Sequence, residues 1–294
     1  MPLDDWYLTQ DLGDFLARAG LFLRSRPATH TVQLTVTENL RARGGRIYGG
    51  AVPEFGVLPG DGGHGVAAAF LRTPPHPLVL TPLTGEQADA LAGQLSAREV
   101  PGAGLTGVNA DRDTAAAFAA AWQRRTGAAS SLGKRLRLYR LAGLTVPSPE
   151  PPGRARTAGA ADGELLARWY VEFCAGVGEP AARDPEEWAD ERVVRADILL
   201  WELPDGTPVA MAGRSPLVAG QVRVNAVYTP AHLRRRGYAG AVTAEASRAA
   251  LAAGAAEVLL FTDLANPTSN ALYQRIGYRP VSDFAVHGFS ERPE

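Results

Sequence analysis

The chain has 294 residues, 46% of them hydrophobic, and a formal net charge of -1. That length fits one large domain or two ordinary ones, and the near-zero charge gives no long-range field for nucleic acid or an anionic membrane. Cys174 is the only cysteine, so no intramolecular disulfide forms, and no apolar run reaches the roughly 18 residues that span a bilayer.

These features fit a reducing, cytoplasmic setting without a membrane. The stretch MPLDDWYLTQDLGDF is acidic and reads as neither a secretory signal nor an anchor. Cys174 lies in the apolar run WYVEFCAGV and reads as a small buried hydrophobe, with no basic partner in view to activate it.

In the first half, Leu12, Phe15, Leu16, Ala19 and Leu23 recur at helical spacing over residues 9–25, with Thr9 or Asp11 available as a cap. Alternation of Val32, Leu34 and Val36 predicts a strand over 30–37. A second strand is expected at Ile47-Tyr48 and Phe55-Gly56-Val57. GVLPGDGGHGVAAAFLRTPPHPLVLTPL reads as strand, turn, strand, proline break, strand, with Asp61-Gly62-Gly63 as the turn. Helices follow at 86–95 and 113–125, then a strand at 135–141. His64 and His76 stand near turns without a second ligand at metal spacing, so no metal is expected.

TVPSPEPPG, residues 145–153, is proline-rich and predicts an extended, semi-rigid boundary. Beyond it come a strand at 154–157 and an amphipathic helix at 162–177 bearing Leu165, Leu166, Trp169, Phe173 and Val177. A helix at 185–194 is capped by Asp184, and strands at 198–203 and 208–215 flank the turn Pro204-Asp205-Gly206. Val222, Val224, Ala226 and Tyr228 then alternate with Arg223, Asn225, Val227 and Thr229 as a strand that Pro230 ends. Arg234-Arg235-Arg236-Gly237-Tyr238-Ala239 follows, and then an alanine-rich helix closed by Gly254. A strand, a small-residue loop and a helix N-terminus suit a pyrophosphate: unpaired N–H groups and the helix dipole meet the anion, and Gly237 permits close approach. Standing alone, the arginine run reads as a solvated patch. A strand at 257–264 precedes Asn266 as cap and Pro267 as first residue of the last helix, which Gly277 ends.

Two stretches carry a family resemblance. VYTPAHLRRRGYA resembles motif A, Q/R-x-x-G-x-G/A, of the GNAT superfamily of acetyl-CoA-dependent N-acetyltransferases. LLFTDLANPTSNALYQRIGYRPV, residues 259–281, resembles the family's last block, N-x-x-S/A-x-x-x-Y-x-x-x-G-Y/F. The resemblance covers roughly residues 154–290. It implies an α/β (α+β) fold of two GNAT-like domains, each a mixed central β-sheet flanked by helices with a V-shaped splay between its central strands. A degenerate N-terminal copy is expected over 1–147, a proline-rich linker over 148–153 and a catalytic domain over 154–294. After PLVLTPL the arginine-glycine signature is missing, and no Asn-to-Tyr block follows, so the first copy is expected to be inactive.

The resemblance implies that acetyl-CoA binds along the backbone of Val227, Tyr228 and Thr229. Its pyrophosphate would meet Arg235, Arg236, Gly237, Tyr238, Ala239 and Gly240, and Asn266 would contact its arm. Tyr273 matches the tyrosine that protonates the departing thiolate. Read alone it is a core aromatic; Asn266 and Gly277 beside it favour the acid. The implied reaction is acetyl transfer to a primary amine, by direct attack in a ternary complex. The acceptor is expected to be a small molecule, an amino-acid-like metabolite or an antibiotic. Alternatives are acetylation of a protein lysine or N-terminus, or a non-catalytic acyl-CoA sensor. Asn225 stands where some members carry a glutamate base, which leaves Glu172, Glu202 or a water chain. A monomer or a homodimer fits the chain equally.

Overall fold

The computed structural model describes residues 5–45, 47–49, 51–60, 62, 64–98 and 104–290. One element order occurs twice. The first copy is β1 (Tyr7–Thr9), α1 (Leu12–Ser25), α2 (Thr31–Arg43), β2 (Glu54–Pro59), β3 (Val66–Arg72), β4 (Leu78–Leu80), α3 (Gly85–Ser96), β5 (Gly107–Asp111), α4 (Arg112–Thr126) and β6 (Ala129–Leu141). The second is β7 (Arg154–Thr157), α5 (Gly163–Gly176), α6 (Pro185–Arg195), β8 (Ile198–Glu202), β9 (Pro208–Arg214), β10 (Gln221–Tyr228), α7 (Tyr238–Ala252), β11 (Glu257–Asp263), α8 (Pro267–Arg275) and β12 (Tyr278–Ser290). The chain divides into two compact units: Met1–Leu138 with Thr262–Ala265 and Val281–Glu294, and Tyr139–Phe261 with Asn266–Pro280.

In the first unit β1, β2, β3 and β4 pair antiparallel in that order, and β4 lies parallel to β5. The far side of β5 is taken by the chain's last strand, from Phe284↔Asp111 to Gly288↔Gly107. Leu78, Leu91, Val108, Phe118 and Trp122 form the core with α3 and α4, joined by Ala285. Phe15 of α1 stacks on Phe55 at 4.8 Å.

The expected strand over 30–37 is instead helix α2. Leu34, Thr37 and Leu40 fall on a buried face at spacing three. The threonine hydroxyls that suggest a strand are satisfied within the helix: Thr35 donates to the Thr31 carbonyl at 2.7 Å and Thr37 to that of Gln33 at 2.8 Å. Tyr48 lies in a turn, so strand β2 begins only at Glu54. Of the turn expected at Asp61-Gly62-Gly63, Asp61 and Gly63 lie outside the described residues. Asp11, not Thr9, caps α1, accepting from the Asp14 N–H at 2.8 Å.

The second unit repeats the pattern. Strands β7, β8, β9 and β10 are antiparallel, and β10 lies parallel to β11. One face packs Val222, Val224, Val258 and Leu260 against Tyr238, Val242 and Ala246 of α7 and Tyr273 of α8. The other packs Ile198, Leu200, Met211 and Tyr228 against Trp169 and Tyr170 of α5 and Trp188 of α6. Small residues on α7 bring its backbone close to the sheet, where Thr243 and Ser247 are fully buried with their hydroxyls bonded one turn back.

Candidate active site: a splayed strand pair and an uncapped helix

β10 and β11 pair only from Gln221↔Glu257 to Val224↔Leu260, although both strands run on. The ladder to β9 slips between Asn225 and Tyr228, and Ala226 there has φ of 46°. This is a β-bulge, and it turns β10 away from its parallel neighbour. The last residues of β10 therefore line a splay, with backbone groups on the β11 side outside the parallel ladder. Val227 packs toward the α7 face, while Ala226 and Tyr228 pack toward the α5 face.

Beyond Thr229 the chain makes a 3-10 turn at Ala231–Leu233 and then two left-handed steps, Arg235 at φ 64° and Gly237 at φ 88°. Arg234 braces this loop by donating to the Thr229 carbonyl at 3.1 Å. α7 then starts without a side-chain cap. Among the described residues the backbone N–H groups of Arg235 to Gly240 find no acceptor. Arg235 and Arg236 are exposed and have no carboxylate partner there. Six free N–H groups, a helix dipole and two guanidinium groups fit a pyrophosphate. The first unit shows the opposite condition. α3, at the same place in the repeat, is closed by a capping box in which Thr84 and Gln87 satisfy each other's N–H groups at 3.2 and 3.0 Å.

The glycines of the loop lie close to the proline-rich stretch and to α8. The side of Gly237 on which a Cβ would stand faces Pro151, whose ring atoms lie 3.6 to 3.8 Å from that point. A Cβ on Gly240 would meet Leu272 at 3.2 Å and Pro147 at 3.4 Å. The proline-rich stretch thus packs under the loop, and α8 packs beside the start of α7.

Tyr273 of α8 is 7% exposed, its ring edge-on to Tyr278 with centroids 6.2 Å apart. Its hydroxyl has no hydrogen-bond partner among the described residues, and burial pushes the phenol up to about 12. Asn266 uses its side-chain oxygen to cap α8, accepting from the Ser269 N–H at 3.0 Å. Glu202 does not suit the role of base. Arg156 bonds it directly and Arg154 adds a second contact at 3.5 Å, so it is held below the usual carboxylate range. Glu172 instead accepts from the Tyr228 hydroxyl at 2.6 Å. The bulge at Ala226, the Arg234 brace and the Tyr228–Glu172 bond were outside the sequence reading. The alternation in sequence runs unbroken through Asn225 and Ala226, so no local pattern signals the bulge.

With this geometry in place, comparison with known proteins is informative. Residues 212–284 match the family model of FR47-like proteins. An N-acetyltransferase of the GCN5-related family from Sphaerobacter thermophilus is 20% identical, with TM-score 0.61 over 98% of this chain and 96% of that one. A GNAT-family acetyltransferase from Colwellia psychrerythraea is 12% identical, with TM-score 0.59 over 98% and 100%. A tandem GNAT protein from the clavulanic acid biosynthesis pathway is 13% identical, with TM-score 0.55 over 99% and 100%. The chain has the tandem GNAT acetyltransferase fold. No curated protein matches it in sequence. Among the described residues of this GNAT fold no helix is long and apolar enough to cross a membrane, and no group of three His, Cys, Asp or Glu could hold a metal.

Proposed function

We propose that the protein is an acetyl-CoA-dependent N-acetyltransferase and that its second unit does the chemistry. The observation that carries this reading is the uncapped start of α7 beside the splay, set against the closed start of α3. Arg235, Arg236 and the N–H groups through Gly240 would hold the pyrophosphate. The backbone of Val227, Tyr228 and Thr229 would run beside the pantetheine arm, and the free amide nitrogen of Asn266 could still meet it. Acetyl-CoA supplies the activated acetyl thioester. The acceptor is a primary amine, of a small molecule, attacking directly within a ternary complex.

Tyr273 is the acid of this proposal. Its unpartnered hydroxyl gives a proton to the departing sulfur. At about 12, the phenol is a weaker acid than an ordinary thiol near 8.5. The same desolvation that lifts the phenol also lifts a thiolate formed beside it, so the mismatch narrows where the transfer occurs.

Release of free thiol from acetyl-CoA against a panel of amines, amino acids and aminoglycoside-like compounds tests the reading. Turnover with one class supports it and names the acceptor. Acetyl-CoA binding by calorimetry with no turnover on any amine refutes the small-molecule acceptor, and absence of binding refutes the whole reading.

A further inference from the structure

The side chains of a polar pair at the mouth of the splay are not used by the acetyl-CoA contacts or by the acid assigned above. Tyr228 ends β10, and the bulge turns its ring onto the α5 face, against Trp169 with centroids 5.9 Å apart. Its hydroxyl donates to Glu172 Oε2 at 2.6 Å. Tyr228 is 8% exposed while Glu172 is exposed, so the pair runs from a buried strand end to solvent. Tyr273 packs on the opposite face of the same strands. Because β10 and β11 part after Val224↔Leu260, a group lying between them is open to both faces. An acid on one face and a proton acceptor on the other suit a transfer that must take a proton from the amine and give one to sulfur.

We infer that Tyr228 and Glu172 form the proton exit for the acceptor, and that the acceptor is an alkyl amine arriving as its ammonium ion. This rests on the acetyl-transfer reading above. An ammonium N–H bond breaks as its proton passes to the Tyr228 oxygen, while the Tyr228 hydroxyl proton passes to Glu172 Oε2. The phenol is thereby restored, and Glu172 yields its proton to water. The freed lone pair forms the C–N bond to the acetyl carbon, the C–S bond breaks, and the sulfur takes the proton of Tyr273. The proton that nitrogen sheds on becoming an amide restores Tyr273 through water. One proton leaves to solvent and one ends on the thiol. Tyr228 is the catalytic residue here, and Glu172, acting through it, is a positioning residue.

The electrostatics agree. Burial first, then Glu172, push the Tyr228 phenol up to about 12, with Arg234 of the loop pulling the other way. The phenol therefore stays protonated and relays a proton without becoming a free phenolate. Arg168 lies one turn before Glu172 on α5, and the other ring against Tyr228 is the uncharged Trp169.

The test follows thiol release from acetyl-CoA between pH 6 and 10, using ethanolamine, lysine and spermidine, and hydroxylamine as an acceptor already neutral at pH 7. Glu172→Gln and Tyr228→Phe should each lower kcat/KM for the alkyl amine about a hundredfold at pH 7. That deficit should shrink as pH approaches the amine's own pKa. For Glu172→Gln, hydroxylamine turnover and acetyl-CoA affinity should change less than about threefold, and Glu172→Asp should recover part of the loss. An equal deficit with hydroxylamine and at every pH, or no deficit, overturns the inference alone. A wild type that binds acetyl-CoA yet turns over none of the four acceptors above the uncatalysed rate overturns the alkyl-amine acceptor and the inference with it, and absence of acetyl-CoA binding overturns acetyl transfer itself.

Discussion

Tyr273→Phe removes one oxygen atom, and the surroundings of that atom set two different magnitudes. The hydroxyl has no hydrogen-bond partner among the described residues, so its loss orphans no buried group. Stability should stay within about 0.5 kcal/mol of wild type. The ring keeps its packing against Tyr278, and the acetyl-CoA contacts assigned to Arg235–Gly240 are untouched. As the acid, however, the hydroxyl should account for about 10²- to 10⁴-fold in kcat, or about 3 to 5 kcal/mol of barrier. Tyr139→Phe is the matched control. Tyr139 is fully buried, and its hydroxyl donates to Asn270 Oδ1 at 2.9 Å and accepts from Gln274 Nε2 at 3.1 Å. Withdrawing both bonds should cost about 1–3 kcal/mol of stability. Urea unfolding gives the stability of each variant, calorimetry the acetyl-CoA affinity, and thiol release the turnover. A Tyr273→Phe protein with unchanged turnover sinks the acid role. One that loses more than 1 kcal/mol of stability shows that the hydroxyl is bonded after all.

Arg236→Glu should weaken acetyl-CoA binding at least tenfold while leaving unfolding within about 0.5 kcal/mol, because the guanidinium is exposed and makes only a long bond, 3.4 Å, to the His232 carbonyl; calorimetry at two salt concentrations should show the wild-type affinity falling as salt rises. Asp162 forms a two-bonded fork with Arg156, at 2.7 and 2.8 Å, and accepts from the Gly159 N–H at 2.8 Å. The guanidinium above all holds its carboxyl below the ordinary value, so its stabilisation is present above about pH 4 and lost as pH falls through the folded-state pKa. Asp162→Asn should therefore cost about 2 kcal/mol at pH 7, with the gap to wild type closing below pH 4 in urea titrations. Gly277 has φ of 105°, and a Cβ there would stand 1.8 Å from the Gly143 carbonyl oxygen, so Gly277→Ala should lower the melting temperature by several degrees, as circular dichroism would report.

The helix caps and turns were legible because they rest on adjacent residues. Asp184 before Pro185, Asn266 before Pro267 and Pro204-Asp205-Gly206 each carry their geometry within a few positions. The glycine and arginine loop before α7 was legible for the same reason. α2 was not, because Thr31–Thr37 has strand-like chemistry and is helical with Leu34 and Leu40 buried on one face, its i−4 bonds satisfying the threonine hydroxyls. Glu202 and Glu172 looked alike in sequence. Their roles part only through distant residues: Arg156 lies 46 positions from Glu202, and Tyr228 lies 56 from Glu172. The pairing of β12 with β5 joins residues far apart in the chain, which no local pattern announces.

The two copies of the fold argue that capping and anion binding compete for the same groups. A helix start has N–H donors to satisfy, and its own side chains or a ligand can satisfy them. At α3, Thr84 and Gln87 do so, and Thr114 also accepts from the N–H of Leu83 just before the cap, at 2.9 Å. That start is stable alone and has little left to offer a phosphate. At α7, Gly237 supplies no side chain, its left-handed φ disfavours any replacement that could cap, and Pro151 fills the space beside it. The second copy thus forgoes the roughly 1 kcal/mol that a serine or aspartate cap would contribute. It keeps instead a row of donors that an incoming anion can complete. The two copies accordingly differ first in whether a helix is allowed to satisfy itself.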